Sequence, residues 1–185
     1  MRTLVYSMSV SLDGFIAGPD GDISWTAPDA EQMRFHNDQV RQVTAELMGR
    51  GLYEDMLVWE TSEGAPADPD SLEFGPIWRA IPKIVFSATL QQVRGHARLA
   101  AGDLASEVAQ LKKQPGEGIV SVGGAGLAAS LITLDLIDEY RLLVRPVMVG
   151  RGTPYFPPRR RQVALKLLES RTFSSGVVYL RYRRG

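Results

Sequence analysis

The sequence predicts an α/β protein with a mixed, mostly parallel sheet that ends in an antiparallel C-terminal hairpin. Strand-like segments rich in β-branched residues alternate with helix-forming segments, which is typical of a sheet with parallel strands. At residues 118–132 a β-branched run meets a cluster of glycines and then becomes helix-forming. Near the C-terminus, strand-like runs at 164–172 and 177–182 flank a short turn segment, which is a hairpin pattern. With 185 residues, the chain is predicted to form a single domain over residues 1–185.

The N-terminal part of the chain predicts a strand, a loop and a helix. The strand is predicted at residues 4–8, and residues 18–22 are dense in turn-forming glycine, proline and aspartate. Pro28 and Asp29 then open a predicted helix that runs to Val40. Acidic residues in its first turn suit the positive end of the helix dipole.

The middle of the chain predicts shorter elements. A strand at 43–48 is stopped by glycines, and one or two helical turns follow at 52–57. Residues 61–76 carry three prolines and two glycines and are predicted to form an irregular excursion. A buried strand is predicted at 83–87, and an amphipathic helix at 103–113 begins with an aspartate that suits an N-cap.

A proline interrupts the strand that follows the glycine cluster. Residues 140–149 form a strongly apolar run with Pro146 inside it. Because proline cannot donate a hydrogen bond to a neighbouring strand, this run is predicted to hold a bulge or to lie at a sheet edge.

The composition excludes several classes of protein. Lysine plus arginine equals aspartate plus glutamate, 21 each, so no net field favours nucleic acid or acidic membranes as partners. The chain has no cysteine, and His36 and His96 lie far apart, so neither disulfides nor a metal site are expected. Both histidines are expected at the surface. No run reaches membrane-spanning length and no signal peptide is visible, so the expected location is the cytoplasm.

The glycine cluster of Gly123, Gly124 and Gly126 favours a phosphate ligand. Small residues at a strand-to-helix turn let backbone N–H groups approach a phosphate, and the helix dipole there attracts negative charge. A tight turn without a ligand explains the same residues, and both interpretations stay open. A Walker-type phosphate loop is excluded because no lysine follows Gly126. A Rossmann fingerprint is disfavoured because Asp138 and Glu139 precede the next strand instead of ending it.

Separated motifs make the whole chain resemble a known superfamily. In chain order they are Ser11-Leu12-Asp13-Gly14-Phe15-Ile16-Ala17, Gly49-Arg50 with Tyr53-Glu54, Val85-Phe86-Ser87 with Thr89-Leu90, Gly123-Gly124-Ala125-Gly126-Leu127, Asp138-Glu139-Tyr140 and Pro146-Val147-Met148-Val149-Gly150-Arg151-Gly152. Together they resemble the dihydrofolate-reductase-like superfamily, and more narrowly the reductase domain of bifunctional riboflavin-biosynthesis proteins and its stand-alone relatives. The resemblance implies a dihydrofolate-reductase-like, three-layer α/β/α fold and NADPH as the cofactor.

The resemblance also implies a role for each matched position. The glycine turn would cradle the pyrophosphate of NADPH, Arg50 would pair with the adenosine 2′-phosphate, and Ser87 would contact the adenine-side phosphate or ribose. The backbone at Ile16 and Ala17 would line the nicotinamide pocket. The cofactor-binding residues predicted in this way are Ile16, Ala17, Gly49, Arg50, Ser87, Gly123, Gly124, Ala125, Gly126 and Leu127.

The sequence departs from the family pattern at three positions. Leu52 stands where relatives usually carry a threonine, so one hydroxyl contact to the cofactor is missing. Arg151 replaces a small residue, and it either reaches a substrate phosphate or points into water. Ala30 stands where folate reductases carry the carboxylate that binds the pterin, which argues against dihydrofolate as the substrate.

Reduction of a C=N or C=O bond needs a proton as well as a hydride. Asp29 and Glu31 are the candidate catalytic residues, because the helix after the first loop borders the substrate cleft in the family that the chain resembles. The alternative is that both acids only complement the helix N-terminus. Asp13 is a further candidate at the substrate, and its alternative is a turn former.

Other residues are candidates for the substrate pocket. Trp25 is predicted to form a wall of the pocket, and the alternative is packing in the core. Arg145, Arg151 and Arg159 are candidates for binding a substrate phosphate. Residues 61–76 form either a lid over the pocket or a plain surface loop.

The predicted function is that of an NADPH-dependent reductase acting on a small heterocyclic or ribosylamino-pyrimidine substrate, similar to 5-amino-6-(5-phosphoribosylamino)uracil reductase. A dihydrofolate reductase and a non-catalytic nucleotide-binding dimer are the alternatives, since a fold alone does not set function. The terminal hairpin and the apolar strand are predicted to support a homodimer. The expected partners are a small-molecule substrate and a second copy of the chain, without nucleic acid or membrane.

Overall fold

Within the described residues, eight strands form one sheet and two short strands pair beside it. The computed structural model describes residues 1–61, 68–158 and 161–185. The strands are β1 (Thr3–Ser11), β2 (Phe15–Ala17), β3 (Val43–Gly49), β4 (Lys83–Phe86), β5 (Ala97–Leu99), β6 (Ile119–Gly123), β7 (Glu139–Arg145), β8 (Thr153–Pro154), β9 (Leu165–Thr172) and β10 (Val178–Arg184). The α-helices are α1 (Ala30–Val40), α2 (Arg50–Met56), α3 (Val58–Thr61), α4 (Pro69–Ala80), α5 (Leu104–Lys113) and α6 (Ala125–Thr133).

The sheet is mostly parallel, as the alternation of strands and helices predicts. Its strand order is β5-β4-β3-β6-β1-β7-β10-β9. Every neighbouring pair from β5 to β7 is parallel, whereas β10 pairs antiparallel with both β7 and β9. The predicted antiparallel C-terminal hairpin is therefore confirmed, and it forms one edge of the sheet.

Helices cover both faces of the sheet, which confirms the three-layer arrangement. On one face, α5 and α6 pack through side chains such as Leu111 and Leu131. On the other face, α2 and α4 pack through residues such as Phe74 and Trp78, and α1 lies beside them with Val40. Strands between two helical layers are apolar on both sides, which explains the nearly continuous apolar runs in the sequence. No helix in the described ranges is long and apolar enough to cross a bilayer.

The predicted helix starts at Asp29 and Asp103 are confirmed by their hydrogen bonds. The Asp29 carboxylate accepts from the Gln32 backbone N–H, and the Asp103 carboxylate accepts from the Ser106 backbone N–H. Each bond satisfies an N–H group that has no partner inside its helix. His36 and His96 are exposed, as expected.

The prediction of an irregular excursion over residues 61–76 is wrong in its second half. Helix α4 begins at Pro69, where the Asp68 carboxylate caps it by accepting the Ser71 backbone N–H. Proline is well tolerated in the first turn because its missing N–H has no helical partner there. Thr61 ends α3, and residues 62–67 of the segment interpreted as a lid or surface loop lie outside the described residues.

The prediction for the strand around Pro146 is also wrong. β7 ends at Arg145, directly before the proline, and it lies between β1 and β10 instead of at an edge. Pro146 therefore terminates the strand and is not embedded in it. The chain then crosses the end of β1, where the Val147 carbonyl accepts the Leu12 backbone N–H at 2.8 Å.

Candidate functional site

The candidate site lies where the parallel strands end. The carboxyl ends of β1, β3, β4, β6 and β7 lie at one edge of the sheet, which is where open α/β sheets bind ligands. Met48 on β3 pairs with Gly123 on β6, so Arg50 and Gly124 follow directly on neighbouring strands. The structure thus brings the predicted arginine and the predicted glycine turn to the same edge.

The three glycines of the turn differ in what a side chain at each position would meet. Gly124 has a φ of 93°, a backbone conformation that other residues rarely adopt. A methyl group at Gly123 would overlap the Leu52 side chain and lie 2.9 Å from the Glu46 Oε1 atom. Gly126 is exposed, and a methyl group there would meet nothing within 4 Å. Space for a ligand therefore opens above Gly126, while Gly123 is required by packing.

Helices α2 and α6, which begin at this edge, lack side-chain caps. Helices α1, α4 and α5 each begin with an aspartate that accepts a backbone N–H. In contrast, α2 begins after Gly49 and α6 after Gly124, and neither of these residues offers a side-chain cap. Their first N–H groups remain available to an external anion, and the dipole of α6 adds attraction for negative charge.

Arg50 is half-exposed and lies at the same edge of the sheet as the uncapped starts of α2 and α6. Its Nη1 atom donates to the Thr89 Oγ1 atom at 3.1 Å, and its Nε atom lies 3.7 Å from the Glu54 Oε2 atom. The side chain is 53% exposed, so the guanidinium can also meet a phosphate. Ser87 positions this region, because its Oγ atom accepts the backbone N–H groups of Thr89 and Leu90.

Asp13 ties together the loops that follow β1 and β7. Its carboxylate accepts from the Ser11 hydroxyl at 2.5 Å and from the Val149 and Gly150 backbone N–H groups. The Ser11 hydrogen bond, followed by the two backbone bonds, holds the pKa of Asp13 below its usual value. Asp13 therefore holds these two loops together through hydrogen bonds, and its contact with substrate stays a prediction.

Ile16 and Ala17 lie in the β2–β8 ribbon at the same edge. Ile16 is 5% exposed and packs into the core, so only its backbone can face a ligand. Ala17 pairs with Thr153, and Gly152 has a φ of 146° where it approaches the Ala17 carbonyl. Arg151, in the same turn, is exposed.

Asp29 and Glu31, the predicted proton donors, both have other partners. The Gln32 backbone N–H lowers the pKa of Asp29, and the Ser174 backbone N–H, Ser174 hydroxyl and Arg171 lower the pKa of Glu31. A general acid must hold its proton at the working pH, and these carboxylates lose theirs more readily than usual. The contacts fit the alternative of a capped and anchored helix, and the proton-donor role stays a prediction that the lowered pKa values disfavour.

Arg145 is not available to a substrate phosphate, contrary to the prediction. It is 6% exposed, and its guanidinium donates to the Thr26 and Ala27 carbonyls and to the Ser9 hydroxyl. These bonds hold the segment that contains Trp25, whose half-buried indole donates to the Asp22 carbonyl. The other candidate for a substrate phosphate, Arg159, lies outside the described residues.

A cavity of about 230 Å³ lies between the sheet and the layer of α1, α2 and α4. It reaches the glycine turn at Gly123 and Leu52 and is mainly apolar. Its lining includes Val5, Ser7, His36, Val40, Glu46, Met56, Phe74, Trp78, Ser121 and Arg141. Sequence reasoning missed Glu46, although a glutamate inside a predicted apolar strand is a signal that could have found it.

Glu46 is the buried carboxyl group of this cavity. The residue is only 7% exposed. Burial raises the pKa of Glu46 to about 7, and the Ser121 hydroxyl and the Lys83 charge only partly oppose this effect. The cavity wall beside the glycine turn therefore carries a carboxyl group whose pKa is raised by burial.

The whole chain is similar to proteins of one family. The model of the RibD C-terminal domain family matches residues 2–179. The chain belongs to the RibD C-terminal domain family. Protein YyaP of Bacillus subtilis (strain 168), an uncharacterized protein, is 35% identical over 184 residues, which cover 98% of this chain and 94% of YyaP.

Solved structures show the same fold for this RibD C-terminal domain. A putative riboflavin biosynthesis protein from Shewanella sp. PV-4 superposes with a TM-score of 0.76 at 23% identity, covering 100% of this chain and 99% of that one. A diaminohydroxyphosphoribosylaminopyrimidine deaminase/5-amino-6-(5-phosphoribosylamino)uracil reductase from Thermotoga maritima superposes with a TM-score of 0.68 at 17% identity, covering 100% of this chain and 57% of that one. The mixed α/β fold implied by the sequence resemblance is confirmed.

Proposed function

We propose that this RibD C-terminal domain is an NADPH-dependent reductase of a small heterocyclic or ribosylamino-pyrimidine substrate. Family membership supports a reductase-like role. The observation that carries the proposal is that the half-exposed Arg50 guanidinium and the uncapped, open start of α6 follow neighbouring strands at one edge of the sheet. One cation and one set of free N–H groups match a dinucleotide with two separate phosphate sites.

The residues present fit the proposed cofactor. Ala125 and Gly126 would offer backbone N–H groups to the pyrophosphate, and Arg50 would bind the 2′-phosphate that distinguishes NADPH from NADH. When bound, NADPH supplies the hydride of the reduction. The chain itself must orient the substrate, exclude water from the cavity next to Gly123 and provide a proton.

Substitution of Arg50 tests the cofactor proposal. In Arg50→Ala the dissociation constant for NADPH should rise about 30-fold, equal to about 2 kcal/mol, because a charge-assisted hydrogen bond to the 2′-phosphate is lost. The constant for NADH should stay unchanged, since NADH lacks that phosphate. Fluorescence titration of each dinucleotide measures both constants.

Arg34→Ala is the control for this test. Arg34 lies on α1, is 60% exposed and pairs only with Asp70 at 3.3 Å among its described ion pairs, so its loss should leave both constants unchanged. Equal weakening of NADPH and NADH in Arg50→Ala would contradict the assignment. Oxidation of NADPH with 5-amino-6-(5-phosphoribosylamino)uracil and with dihydrofolate then separates the two candidate substrates.

We also propose that the chain forms a two-fold homodimer through the edge strand β9. All eight residues of β9 are exposed, including Leu165, Leu167 and Leu168 at 37%, 48% and 40%. An exposed edge strand offers unpaired backbone groups to another chain, and an antiparallel edge can pair with its own copy about a two-fold axis, with the three leucines adding apolar contact.

Leu167→Lys should convert the dimer to a monomer, because it replaces an exposed leucine of the proposed interface with a charge that would have to be buried there. Sedimentation velocity should show the wild-type chain at twice its 20.4 kDa mass and the variant at that mass. Leu72→Lys, on α4 and 62% exposed, is the control and should remain dimeric. A monomeric wild-type chain would rule out this interface.

A further inference from the structure

The cavity between the sheet and the layer of α1, α2 and α4 ends at a cluster of polar side chains around Arg141 on β7. The arginine side chain is 6% exposed, and it lines the cavity together with Gln39 on α1 and Ser7 on β1. Ser7 is in register with Arg141, and the Gln39 Oε1 atom accepts a hydrogen bond from the Arg141 Nη1 atom. Three elements therefore bring three polar side chains to one end of the cavity.

Each of these three side chains has a donor group left over. Within the part of the chain that the structure describes, the Arg141 Nη2 atom, the Ser7 hydroxyl and the Gln39 Nε2 atom have no hydrogen-bond partner. None of the three atoms is sealed off in the protein interior, so each remains accessible. Because the Gln39 oxygen is occupied by Arg141, the amide group that remains can only donate. A group of donors without an acceptor fits a ligand that carries acceptor atoms.

The buried charges around Arg141 leave one positive charge poorly compensated. Glu139 is 4% exposed, and its carboxylate accepts from the Arg141 Nε atom at 2.6 Å and from the Arg181 Nη2 atom at 2.9 Å. Glu169, the second acid near Arg181, lies 3.8 Å from it and is 44% exposed, so its contribution is small. One buried carboxylate thus serves two guanidinium groups, and a ligand with a single negative charge at Arg141 would restore the balance.

The rest of the cavity fits a small, flat and mainly apolar ligand. Its helix side includes Met56, Phe74 and Trp78, and its volume of about 230 Å³ lies below the roughly 300–1,000 Å³ that is common for ligand pockets. Glu46 on β3 lines the opposite end, and β3 and β7 are separated by β6 and β1, which is about 14 Å at the usual strand spacing. A second carboxylate on the ligand would approach this buried carboxyl group, so a ligand with one carboxylate fits better than a dicarboxylate.

We propose that this cavity binds a small aromatic monocarboxylate, whose carboxylate accepts hydrogen bonds from Arg141, Ser7 and Gln39. The Arg141 guanidinium supplies the charge, and the hydroxyl and amide donors orient the group. The aromatic ring packs against Phe74 and Trp78. The site is independent of the proposed reductase function, because no dinucleotide takes part in it.

Calorimetric titration of the purified chain with 2-naphthoate, without added dinucleotide, tests the proposal. 2-Naphthamide, the same ring without the charge, should bind about 30-fold more weakly, because the charge-assisted hydrogen bonds are lost. Naphthalene-2,6-dicarboxylate should also bind more weakly than 2-naphthoate. NMR of protein labelled at the methionine methyl groups locates the ligand. The Met56 resonance should shift on addition of 2-naphthoate, whereas Met148, which is 75% exposed and outside the cavity lining, should not respond.

Gln39→Glu adds one negative charge to the site and keeps its shape. The new carboxylate can still accept from the Arg141 Nη1 atom, so the fold should be retained, which thermal unfolding checks. The added charge repels the ligand carboxylate, so 2-naphthoate should bind about 30-fold more weakly, while 2-naphthamide should bind nearly as before. Ser7→Ala removes one neutral donor and should weaken 2-naphthoate about fivefold. Gln110→Glu, an exposed position on α5 at the other face of the sheet, is the matched control and should bind as wild type.

The outcomes separate this site from the proposed function. Equal affinity for 2-naphthoate and 2-naphthamide overturns the proposal, and so does wild-type affinity for 2-naphthoate in Gln39→Glu. Binding that leaves the Met56 resonance unchanged places the ligand elsewhere and also overturns it, as does no binding at millimolar 2-naphthoate. A protein that binds 2-naphthoate as expected but no NADPH overturns the proposed function instead, because the carboxylate site is measured without cofactor.

Discussion

Gly126→Asp should weaken NADPH binding about 100-fold, equal to about 2.8 kcal/mol, without destabilising the fold. Two like charges about 4 Å apart near a protein surface repel by several kcal/mol, and the new carboxylate would stand where the pyrophosphate is proposed to bind. The structure has room for the side chain, since nothing lies within 4 Å of a methyl group there. An aspartate in the first turn also suits the dipole of α6. Fluorescence titration measures the binding constant, and thermal unfolding checks stability.

Ala105→Asp is the matched control for this prediction. Ala105 occupies the same second position of α5 that Gly126 occupies in α6, and it is exposed. The same new charge at the same helical position should therefore leave NADPH affinity unchanged. Undiminished affinity in Gly126→Asp would show that the cofactor phosphates lie elsewhere.

Gly152→Ala should destabilise the protein by about 3 kcal/mol or more. Gly152 has a φ of 146°, in a region open almost only to glycine. A methyl group there would also overlap the Ala17 carbonyl oxygen and lie 3.0 Å from the carbonyl carbons of Ala17 and Gly18. Backbone atoms cannot move aside as a flexible side chain can. The β2–β8 ribbon should separate, and urea unfolding measures the lost free energy.

Gly150→Ala is the control in the same turn. Gly150 has a φ of 83°, but a methyl group there would meet nothing within 4 Å. Its cost should be about 1 kcal/mol, from backbone strain alone. Equal destabilisation by both substitutions would contradict the claim that close approach to Ala17 makes Gly152 essential.

Local sequence signals predicted much of the fold. Asp29 and Asp103 are caps because a short acceptor before a helix satisfies a free N–H, which is a purely local interaction. The C-terminal hairpin is equally local. Composition misled the prediction at residues 61–76, where Pro69 belongs to the first turn of α4 instead of breaking it. Pro146 was misread because a proline just after a strand and one inside it look alike in sequence.

The place of a site residue could be predicted where the residue directly follows a strand of the parallel sheet. Arg50 and Gly124 meet because neighbouring parallel strands end at one edge. Partners far apart in sequence could not be predicted, such as Ser174 for Glu31. The buried setting of Glu46 was also hidden, because it depends on side chains from α1, α2 and α4, which are distant from β3 in sequence or follow it.

A crystal structure of the protein with NADPH tests most directly whether this edge is a dinucleotide site. The pyrophosphate should accept hydrogen bonds from the backbone N–H groups of Ala125 and Gly126, and the 2′-phosphate should contact the Arg50 guanidinium. Its nicotinamide ring should lie against the backbone at Ile16 and Ala17. A dinucleotide bound away from this edge, or none bound under saturating conditions, would contradict the proposed function.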